Sequence, residues 1–182
     1  GSASSAIIVC RVLGHGDPRS EGSGNPGTTN VLRLYGKTAA GLTFFGDVAK
    51  GIIPVLACAQ LGFEPLAIAL AGTGAFLGHL YPIFFRFEGG KGVATLVGVL
   101  LAFNPWLGLA FMGSWITVAV ATRYSSLAAL SATALAPIFA HLFGAELAVV
   151  SAVAGMATLV YWRHQSNIRN LLAGRESKIG KS

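Results

Sequence analysis

Three polar segments of this sequence combine glycine, hydroxyl and basic residues in the way that phosphate-binding sites require. The first runs from Gly22 to Lys37 and interleaves Gly, Ser, Thr and Asn with Arg33 and Lys37. Glycines let backbone N–H groups converge on an anion, and an arginine presents a rigid fork suited to phosphate oxygens. A flexible Gly/Ser linker has a similar composition, but a linker does not need Arg, Asn and Thr at this density. A helix that begins after Asn30 would add free N–H groups to the same site.

The second segment extends from Gly78 to Thr95 and contains Gly89-Gly90-Lys91-Gly92 directly before an apolar run. If this tetrapeptide opens a helix, its amides and the lysine ammonium face one volume and can bind a phosphate. The segment lacks the spacing and the preceding strand of a nucleotide-binding P-loop, so we exclude an NTPase. We interpret His79, in the same segment, as a helix-packing or capping residue.

The third segment begins at Arg163, where the last apolar stretch ends. His164 and Asn167 are three residues apart, so we expect them on one face of a helix. Interfacial anchoring explains the arginine and the aromatic residues before it, but it does not explain the His/Asn pair. Together the three segments would give one face of the molecule the surfaces that two phosphorylated substrates need.

The composition indicates a membrane protein. Of 182 residues, 53% are hydrophobic and 11% are charged, whereas soluble domains carry about 25% charged residues. Apolar segments occur at 3–13, 38–61, 65–85, 92–103, 105–122, 127–143 and 147–162. Because a crossing takes about 20 residues, segment 3–13 is too short, and we expect it to be the inner end of a first helix with further sequence before Gly1.

Basic residues predict the orientation of these segments. Every Lys and Arg except Lys50 lies in or beside the first, third or fifth connection or in the C-terminal tail. Lys and Arg are retained in the cytoplasm during insertion. We therefore predict an all-α integral membrane protein, a bundle of seven transmembrane helices forming a single domain over residues 1–182, with the N-terminus outside and the C-terminus in the cytoplasm.

Two further patterns lie inside the apolar segments. Asp47 and Lys50 are three residues apart and can neutralise each other, as a structural ion pair or as a functional one. Gly74 and Gly78 have the spacing that lets helices approach closely in lipid. Cys10 and Cys58 lie in apolar stretches, so we interpret both as small buried hydrophobic residues and expect no metal site.

In its three motifs the sequence resembles the bacterial acyl-phosphate:glycerol-3-phosphate acyltransferases of the PlsY type. The matching segments are GSGNPGTTNVLR (22–33), GHLYPIFFRFEGGKGVAT (78–95) and RHQSNI (163–168), with shorter matches at DVAKG (47–51) and YSSL (124–127). The resemblance implies transfer of an acyl group from fatty acyl phosphate to the 1-hydroxyl of glycerol 3-phosphate, giving lysophosphatidic acid and phosphate. This would be the first step of phospholipid synthesis, on the cytoplasmic face of a bacterial inner membrane, without a cofactor or nucleic acid.

The resemblance also implies roles for particular residues. Catalytic roles fall to Ser23, Arg33, Lys91, His164 and Asn167. Substrate-binding roles fall to Gly24, Asn25, Gly27, Thr28, Thr29, Lys37, Gly89, Gly90 and Ser126.

The sequence favours direct attack of the glycerol hydroxyl over an acyl-enzyme intermediate. It shows no Ser-His-Asp or Cys-His arrangement, and the acyl phosphate is already an activated mixed anhydride. The base would be either an oxygen of the acyl phosphate or His164. We expect the acyl chain to enter from the membrane through a lipid-facing groove beside the glycine-rich loops.

Two other functions fit parts of the sequence. A small anion transporter or channel would use the basic loops as a vestibule, although transporter sites usually lie near the membrane midplane. A cytoplasmic protein-binding scaffold would explain the basic loops, but it would not explain their glycine and hydroxyl content.

Overall fold

The computed structural model describes residues 1–180, and within that range it contains helices and loops but no strand. The helices are α1 Ser5–Val12, α2 Thr28–Gln60, α3 Pro65–Leu80, α4 Val93–Phe103, α5 Pro105–Thr122, α6 Ser125–Leu142, α7 Leu147–Arg163 and α8 Gln165–Leu172, with a 3₁₀ turn at Ile83–Phe85. We call residues 13–27 the first loop, residues 81–92 the second loop and residues 173–180 the C-terminal tail.

Helix α2 starts well before the apolar segment that begins at residue 38. Its N-cap is Gly27, and Asn30 lies in its first turn, so the prediction that the helix begins after Asn30 is wrong. The helix is kinked at Gly36, whose φ of 84° lies in the left-handed region, where a glycine has no steric penalty. Residues 28–35, which include the polar side chains of Thr28, Thr29, Asn30 and Arg33, thus form a short helical arm on the other side of the kink from the apolar part of α2.

Helix α4 lies at the centre of the bundle and packs against α2, α3, α5 and α7. Its residues from Thr95 to Leu100 are all buried. At its crossing with α2, a Cβ on Gly51 would overlap the Thr95 carbonyl oxygen, and a Cβ on Gly98 would overlap that of Val48. Glycine at both positions therefore permits the close backbone approach that is typical of membrane helices.

The outer surface of the bundle is apolar. Phe45 is 70% exposed and Val120 is 77% exposed, as expected for side chains that face lipid. Four helical stretches are long and apolar enough to cross a membrane, and a fifth is added if α7 and α8, bent by 59°, count as one span. Helices α1 and α4 have the apolar composition of the predicted segments but only 8 and 11 residues.

The bend between α7 and α8 corrects one prediction. Helix α7 ends at Arg163, and α8 begins at Gln165, so His164 and Asn167 do not share a face of one continuous helix. His164 forms the corner between the two helices, and Asn167 follows on α8. The bend nevertheless leaves both residues on the wall of the same cavity.

Candidate active site

A cavity of about 690 Å³ lies among α2, α4, α5, α6 and α8. Its polar side chains come from all three motifs, from α2, α6 and α8 outside the motifs, and from the C-terminal tail: Ser23, Asn25, Thr28, Thr29, Asn30, Arg33, Asp47, His79, Lys91, Ser125, Ser126, His164, Ser166, Asn167, Asn170, Arg175, Glu176 and Ser177. Apolar residues of four helices and of the tail line the rest: Leu32, Phe44, Val93, Ala94, Val97, Phe111, Met112, Trp115, Ile116, Ala129 and Ile179. One cavity thus joins a cationic, hydrogen-bonding wall to an apolar wall.

Three helices begin at this cavity. Thr28 of α2, Val93 of α4 and Ser125 of α6 are the first residues of their helices, and all three line it. The first N–H groups of a helix have no partner within the helix, and the helix dipole makes that end positive. Three such ends on one cavity favour the binding of an anion there.

Four side chains from distant parts of the chain form a hydrogen-bonded chain across the cavity wall. The Lys91 ammonium donates to the Asn167 carbonyl oxygen. Asn167 Nδ2 donates to Glu176 Oε1 at 2.7 Å, and Ser126 Oγ donates to the same oxygen at 2.7 Å. Glu176 therefore fixes the orientation of the Asn167 carboxamide, which in turn positions the lysine.

Lys91 and Arg33 supply positive charge from different elements. Burial lowers the pKa of Lys91; the carboxylate of Glu176 opposes this shift, whereas Arg163 and Arg33 add to it. Arg33 is exposed on the arm of α2, and its Nη2 donates to the Ser177 carbonyl oxygen at 3.3 Å. An anionic ligand near Lys91 would therefore favour the charged form of the lysine.

His164 is only 4% exposed, and its Nδ1 lies 2.8 Å from the Val160 carbonyl oxygen. Because a carbonyl oxygen only accepts, Nδ1 carries the hydrogen and Nε2 is left as a proton acceptor. Burial lowers the pKa of His164 to about 4. The ring is therefore neutral at physiological pH and able to accept a proton, but a pKa this low makes it a weak base.

The C-terminal tail folds back over the cavity. The Ile179 N–H donates to the Arg123 carbonyl oxygen at 2.7 Å, and Arg123 Nη2 donates to the Ile179 carbonyl oxygen at 2.9 Å. Lys178 lies 5.4 Å from the centre of the Tyr124 ring. These contacts hold Glu176 and Ser177 against the N-terminal end of α6.

The two glycines before Lys91 have a packing function. A Cβ on Gly89 would overlap the carbonyl oxygens of His79 and Leu80, and a Cβ on Gly90 would overlap the His79 ring. Arg163 Nη2 also donates to the Gly89 carbonyl oxygen at 2.9 Å. Both glycines are buried behind the cavity wall, so they position Lys91 through the end of α3.

A buried polar cluster lies next to these glycines. Asp47 Oδ1 is 2.7 Å from Lys50 Nζ and 3.5 Å from His79 Nδ1. The predicted neutralisation of Asp47 by Lys50 is therefore present in the structure. His79 packs against both Asp47 and Gly90, as the packing interpretation of this residue expects.

Most of the predicted site residues line the cavity, but some do not. Those that line it are Ser23, Asn25, Gly27, Thr28, Thr29, Arg33, Lys91, Ser126, His164 and Asn167. Gly24, Lys37, Gly89 and Gly90 are not part of its lining among residues 1–180. Gly24 and Lys37 are exposed. Lys37 lies beyond the kink at Gly36, outside the arm that carries Arg33.

The sequence prediction missed Ser125, Ser166, Asn170 and the four residues of the C-terminal tail that line the cavity, Arg175, Glu176, Ser177 and Ile179. One signal was available, since Glu176 is the only acidic residue after Glu146 in an otherwise basic end of the chain. Among residues 1–180, no group of three or more His, Cys, Asp or Glu side chains could hold a metal ion.

Known proteins resemble this chain along nearly its whole length. The family profile described as glycerol-3-phosphate acyltransferase matches residues 1–174. A glycerol-3-phosphate acyltransferase of Hydrogenovibrio crunogenus is 54% identical over 182 residues, covering 100% of this chain and 87% of that protein. A glycerol-3-phosphate acyltransferase of Thioalkalivibrio sulfidiphilus is 53% identical over 180 residues, covering 99% of this chain and 89% of that protein.

The fold also matches solved structures. A crystal structure of PlsY, an integral membrane glycerol 3-phosphate acyltransferase in its glycerol 3-phosphate form, has a TM-score of 0.90 and 39% identity, covering 97% of this chain and 90% of that chain. A PlsY structure in the lysophosphatidic acid form has a TM-score of 0.91 and 38% identity, covering 98% of this chain and 89% of that one.

These similarities confirm the predicted all-α integral membrane fold and the family resemblance that the three motifs indicated. Because the family profile spans residues 1–174 and relatives more than half identical span nearly the whole chain, the protein belongs to the glycerol-3-phosphate acyltransferase family, in its integral membrane PlsY type.

Proposed function

We propose that this enzyme transfers the acyl group of a fatty acyl phosphate to the 1-hydroxyl of sn-glycerol 3-phosphate, giving lysophosphatidic acid and phosphate. The observation that carries the proposal is the single cavity that joins three helix N-termini and the cations Lys91 and Arg33 to an apolar wall. Both substrates carry a phosphate and one carries an acyl chain, so each part of the cavity has a matching part of a substrate. The similar PlsY structures are described in a glycerol 3-phosphate form and a lysophosphatidic acid form, which supports the acceptor and the product.

The apolar wall is the proposed site of the acyl chain. Phe111, Met112, Trp115 and Ile116 of α5 line it together with residues of α2, α4 and α6. Burial of apolar surface gives about 0.8 kcal/mol per CH₂ group, so a long acyl chain gains much of its binding energy here. We assign the predicted lipid-facing groove beside the glycine-rich loops to this wall.

The proposed reaction is a direct displacement. The 1-hydroxyl oxygen of glycerol 3-phosphate attacks the acyl carbon, the bond from that carbon to the phosphate oxygen breaks, and phosphate leaves with the hydroxyl proton. Lys91, Arg33 and the helix N-termini neutralise the two phosphates and the charge that develops on the acyl oxygen. Cys10 and Cys58 are not among the residues that line the cavity, so neither thiol is placed to act as a nucleophile.

Two groups compete for the role of base. An oxygen of the acyl phosphate would take the proton within the substrate itself. His164 Nε2 is the alternative, because the ring is neutral and its Nδ1 hydrogen is held by Val160. If His164→Gln removes the chemical step while the affinity for glycerol 3-phosphate stays intact, the histidine is the base.

We further propose that α1 to α7 all cross a bacterial inner membrane, with the N-terminus outside and the active site on the cytoplasmic face. The location of every Lys and Arg except Lys50 supports this orientation. A cysteine introduced at Ser177, with Cys10 and Cys58 replaced by serine, should react with a membrane-impermeant maleimide in inside-out vesicles and remain unlabelled in intact cells.

The activity itself is tested by phosphate release from palmitoyl phosphate with detergent-purified protein. Release that requires glycerol 3-phosphate, is lost in Lys91→Ala and is kept in Arg169→Ala would support the proposal. Arg169 is a suitable control because it is exposed on α8 and lies outside the cavity lining. No phosphate release from palmitoyl phosphate by folded protein would contradict the proposal. If acyl transfer from palmitoyl-CoA, measured as free CoA, is also absent, phosphate uptake into proteoliposomes would test the transporter alternative.

A further inference from the structure

The guanidinium group of Arg19 spans the first and the second loop. Its Nε lies 3.1 Å from both carboxylate oxygens of Asp17, and its Nη2 lies 2.7 Å from Asp17 Oδ2. Across the gap, its Nη1 donates to the Phe85 carbonyl oxygen at 3.0 Å and to Glu88 Oε2 at 3.1 Å. Asp17 therefore aims a planar donor group from the first loop at the backbone of the second.

The carboxamide of Asn30 fixes the segment that carries Arg19. Asn30 is 2% exposed, and its Nδ2 donates to the carbonyl oxygens of Pro18 at 2.8 Å and Glu21 at 3.2 Å. Its Oδ1 accepts the Ser23 N–H at 3.0 Å. Both Nδ2 hydrogens are used in these bonds, so this side chain shapes the loop and has no hydrogen left for a ligand.

The two loops carry different parts of the cavity wall. Ser23 and Asn25 come from the first loop, and Lys91 comes from the end of the second. Asn30 holds the backbone between Arg19 and Ser23. The backbone between Glu88 and Lys91 is held at Gly89, which packs against α3 and accepts a hydrogen bond from Arg163. A short, hydrogen-bonded path thus connects Ser23 to Lys91 through Arg19.

We propose that Arg19 and Asn30 are positioning residues that clamp the first loop to the second and so set the position of Ser23 relative to Lys91. This inference rests on the proposed function, since it assigns the two loops to one reaction between two phosphorylated substrates. Arg19 lies outside the cavity lining and acts only through the backbone that it holds. The clamp matters because reacting atoms must lie about 3–3.5 Å apart, and a misplacement of 1 Å can cost about 100-fold in rate.

The clamp predicts a particular kinetic signature for Arg19→Ala. Each loop keeps its own contacts, so the KM for each substrate should change by less than about three-fold, whereas kcat should fall about 10- to 100-fold because the two loops are misaligned. Arg19→Lys should restore little activity, because an ammonium cannot replace a planar fork that reaches acceptors on both loops. Arg11→Ala is the matched control, since Arg11 is exposed at the end of α1 and outside the cavity lining, and it should keep wild-type kinetics.

A double substitution separates the clamp from two unrelated defects. Asn30→Asp keeps the acceptor for Ser23 and loses both donors. If Arg19 and Asn30 act through one segment, the kcat of the double variant Arg19→Ala/Asn30→Asp should be close to that of the slower single variant. Independent effects would instead multiply the two losses in kcat. Rates are normalised to folded protein, measured by size-exclusion chromatography and by the thermal midpoint in detergent.

A second readout does not depend on turnover. In Arg19→Ala, amide hydrogen exchange should become faster in residues 83–92 of the second loop, although the substitution is in the first, and Arg11→Ala should leave this exchange unchanged. The clamp is overturned if Arg19→Ala leaves the exchange unchanged and keeps kcat within two-fold of wild type. It is also overturned if the rate losses of the two single variants multiply in the double variant. A wild-type protein without acyl transfer contradicts the proposed function instead, and the exchange experiment still decides whether the clamp exists.

Discussion

The Glu176 carboxylate accepts a hydrogen bond from the Asn167 carboxamide at 2.7 Å, and this contact determines which atom of Asn167 faces Lys91. With Nδ2 turned towards Glu176, the carbonyl oxygen is left to accept from the lysine. Ser126 Oγ donates to the same carboxylate oxygen. One acidic residue of the C-terminal tail therefore organises the ends of α4, α6 and α8 at the cavity.

Replacement of Glu176 by glutamine should lower kcat/KM for glycerol 3-phosphate by about 10- to 100-fold, since hydrogen bonds to a charged group contribute about 1.5–3 kcal/mol. The amide loses the negative charge that faces Lys91, Ser126 and Asn167. The measurement is phosphate release at varied glycerol 3-phosphate. Glu64→Gln, an exposed change in the loop before α3, serves as the control, and equal activity of both variants would show that Glu176 does not organise the site.

The low pKa of His164 predicts a pH-independent contribution of this residue near neutrality. Because burial lowers the pKa to about 4, the ring stays neutral as the pH falls from 8 to 6, and it becomes protonated only under more acidic conditions. The substrate phosphates titrate near pH 6, so the informative quantity is the rate ratio of wild type to His164→Gln. We expect this ratio to be constant from pH 6 to pH 8; a midpoint near 6.5 would mean that His164 titrates as an exposed histidine does.

Much of the fold could be predicted because lipid imposes simple constraints. Apolar segments separated by short polar connections predicted the positions of α3, α4, α5, α6 and α7 closely. The start of helix α2 was predicted wrongly because its first two turns mix polar and apolar residues and line the cavity. The Gly74–Gly78 pair was also only partly informative, since a Cβ on Gly74 meets no atom within 4 Å whereas Gly51 and Gly98 pack tightly; spacing does not reveal which face of a helix meets a neighbour.

The candidate site could be predicted where chemistry is concentrated in a motif. Residue type and spacing singled out Lys91, His164 and Asn167, which the structure brings to one cavity. Glu176 was missed because a lone carboxylate in a basic tail has no motif, and its role depends on the tail folding back across α6. The family resemblance implied a substrate-binding role for Lys37, but the kink at Gly36 lies between this residue and the arm that carries Arg33.

Arg33 and Lys37 should therefore differ in their effect on acceptor binding. Arg33 lines the cavity, whereas Lys37 is exposed beyond the kink. Arg33→Ala should raise the KM for glycerol 3-phosphate or lower kcat by at least about 10-fold, because a charged hydrogen-bond donor to phosphate is lost. Lys37→Ala should change either parameter by about two-fold or less, as expected for a screened surface charge. A loss of activity in Lys37→Ala as large as in Arg33→Ala would restore the sequence-based prediction that Lys37 binds substrate.

The packing of the glycines before Lys91 leads to a last prediction, in which Gly89→Ala is compared with Gly74→Ala. A Cβ on Gly89 would overlap the backbone carbonyl oxygen of His79, which cannot move without the end of α3, whereas a Cβ on Gly74 meets open space. Gly89→Ala should therefore displace the second loop together with Lys91, lower the thermal midpoint in detergent and reduce kcat/KM by about 10-fold or more. Gly74→Ala should leave kinetics unchanged and keep or slightly raise the midpoint, since alanine is favoured over glycine within a helix by about 1 kcal/mol. If Gly89→Ala keeps the wild-type midpoint and loses only phosphate affinity, the glycine binds the substrate through its backbone and is not required for packing.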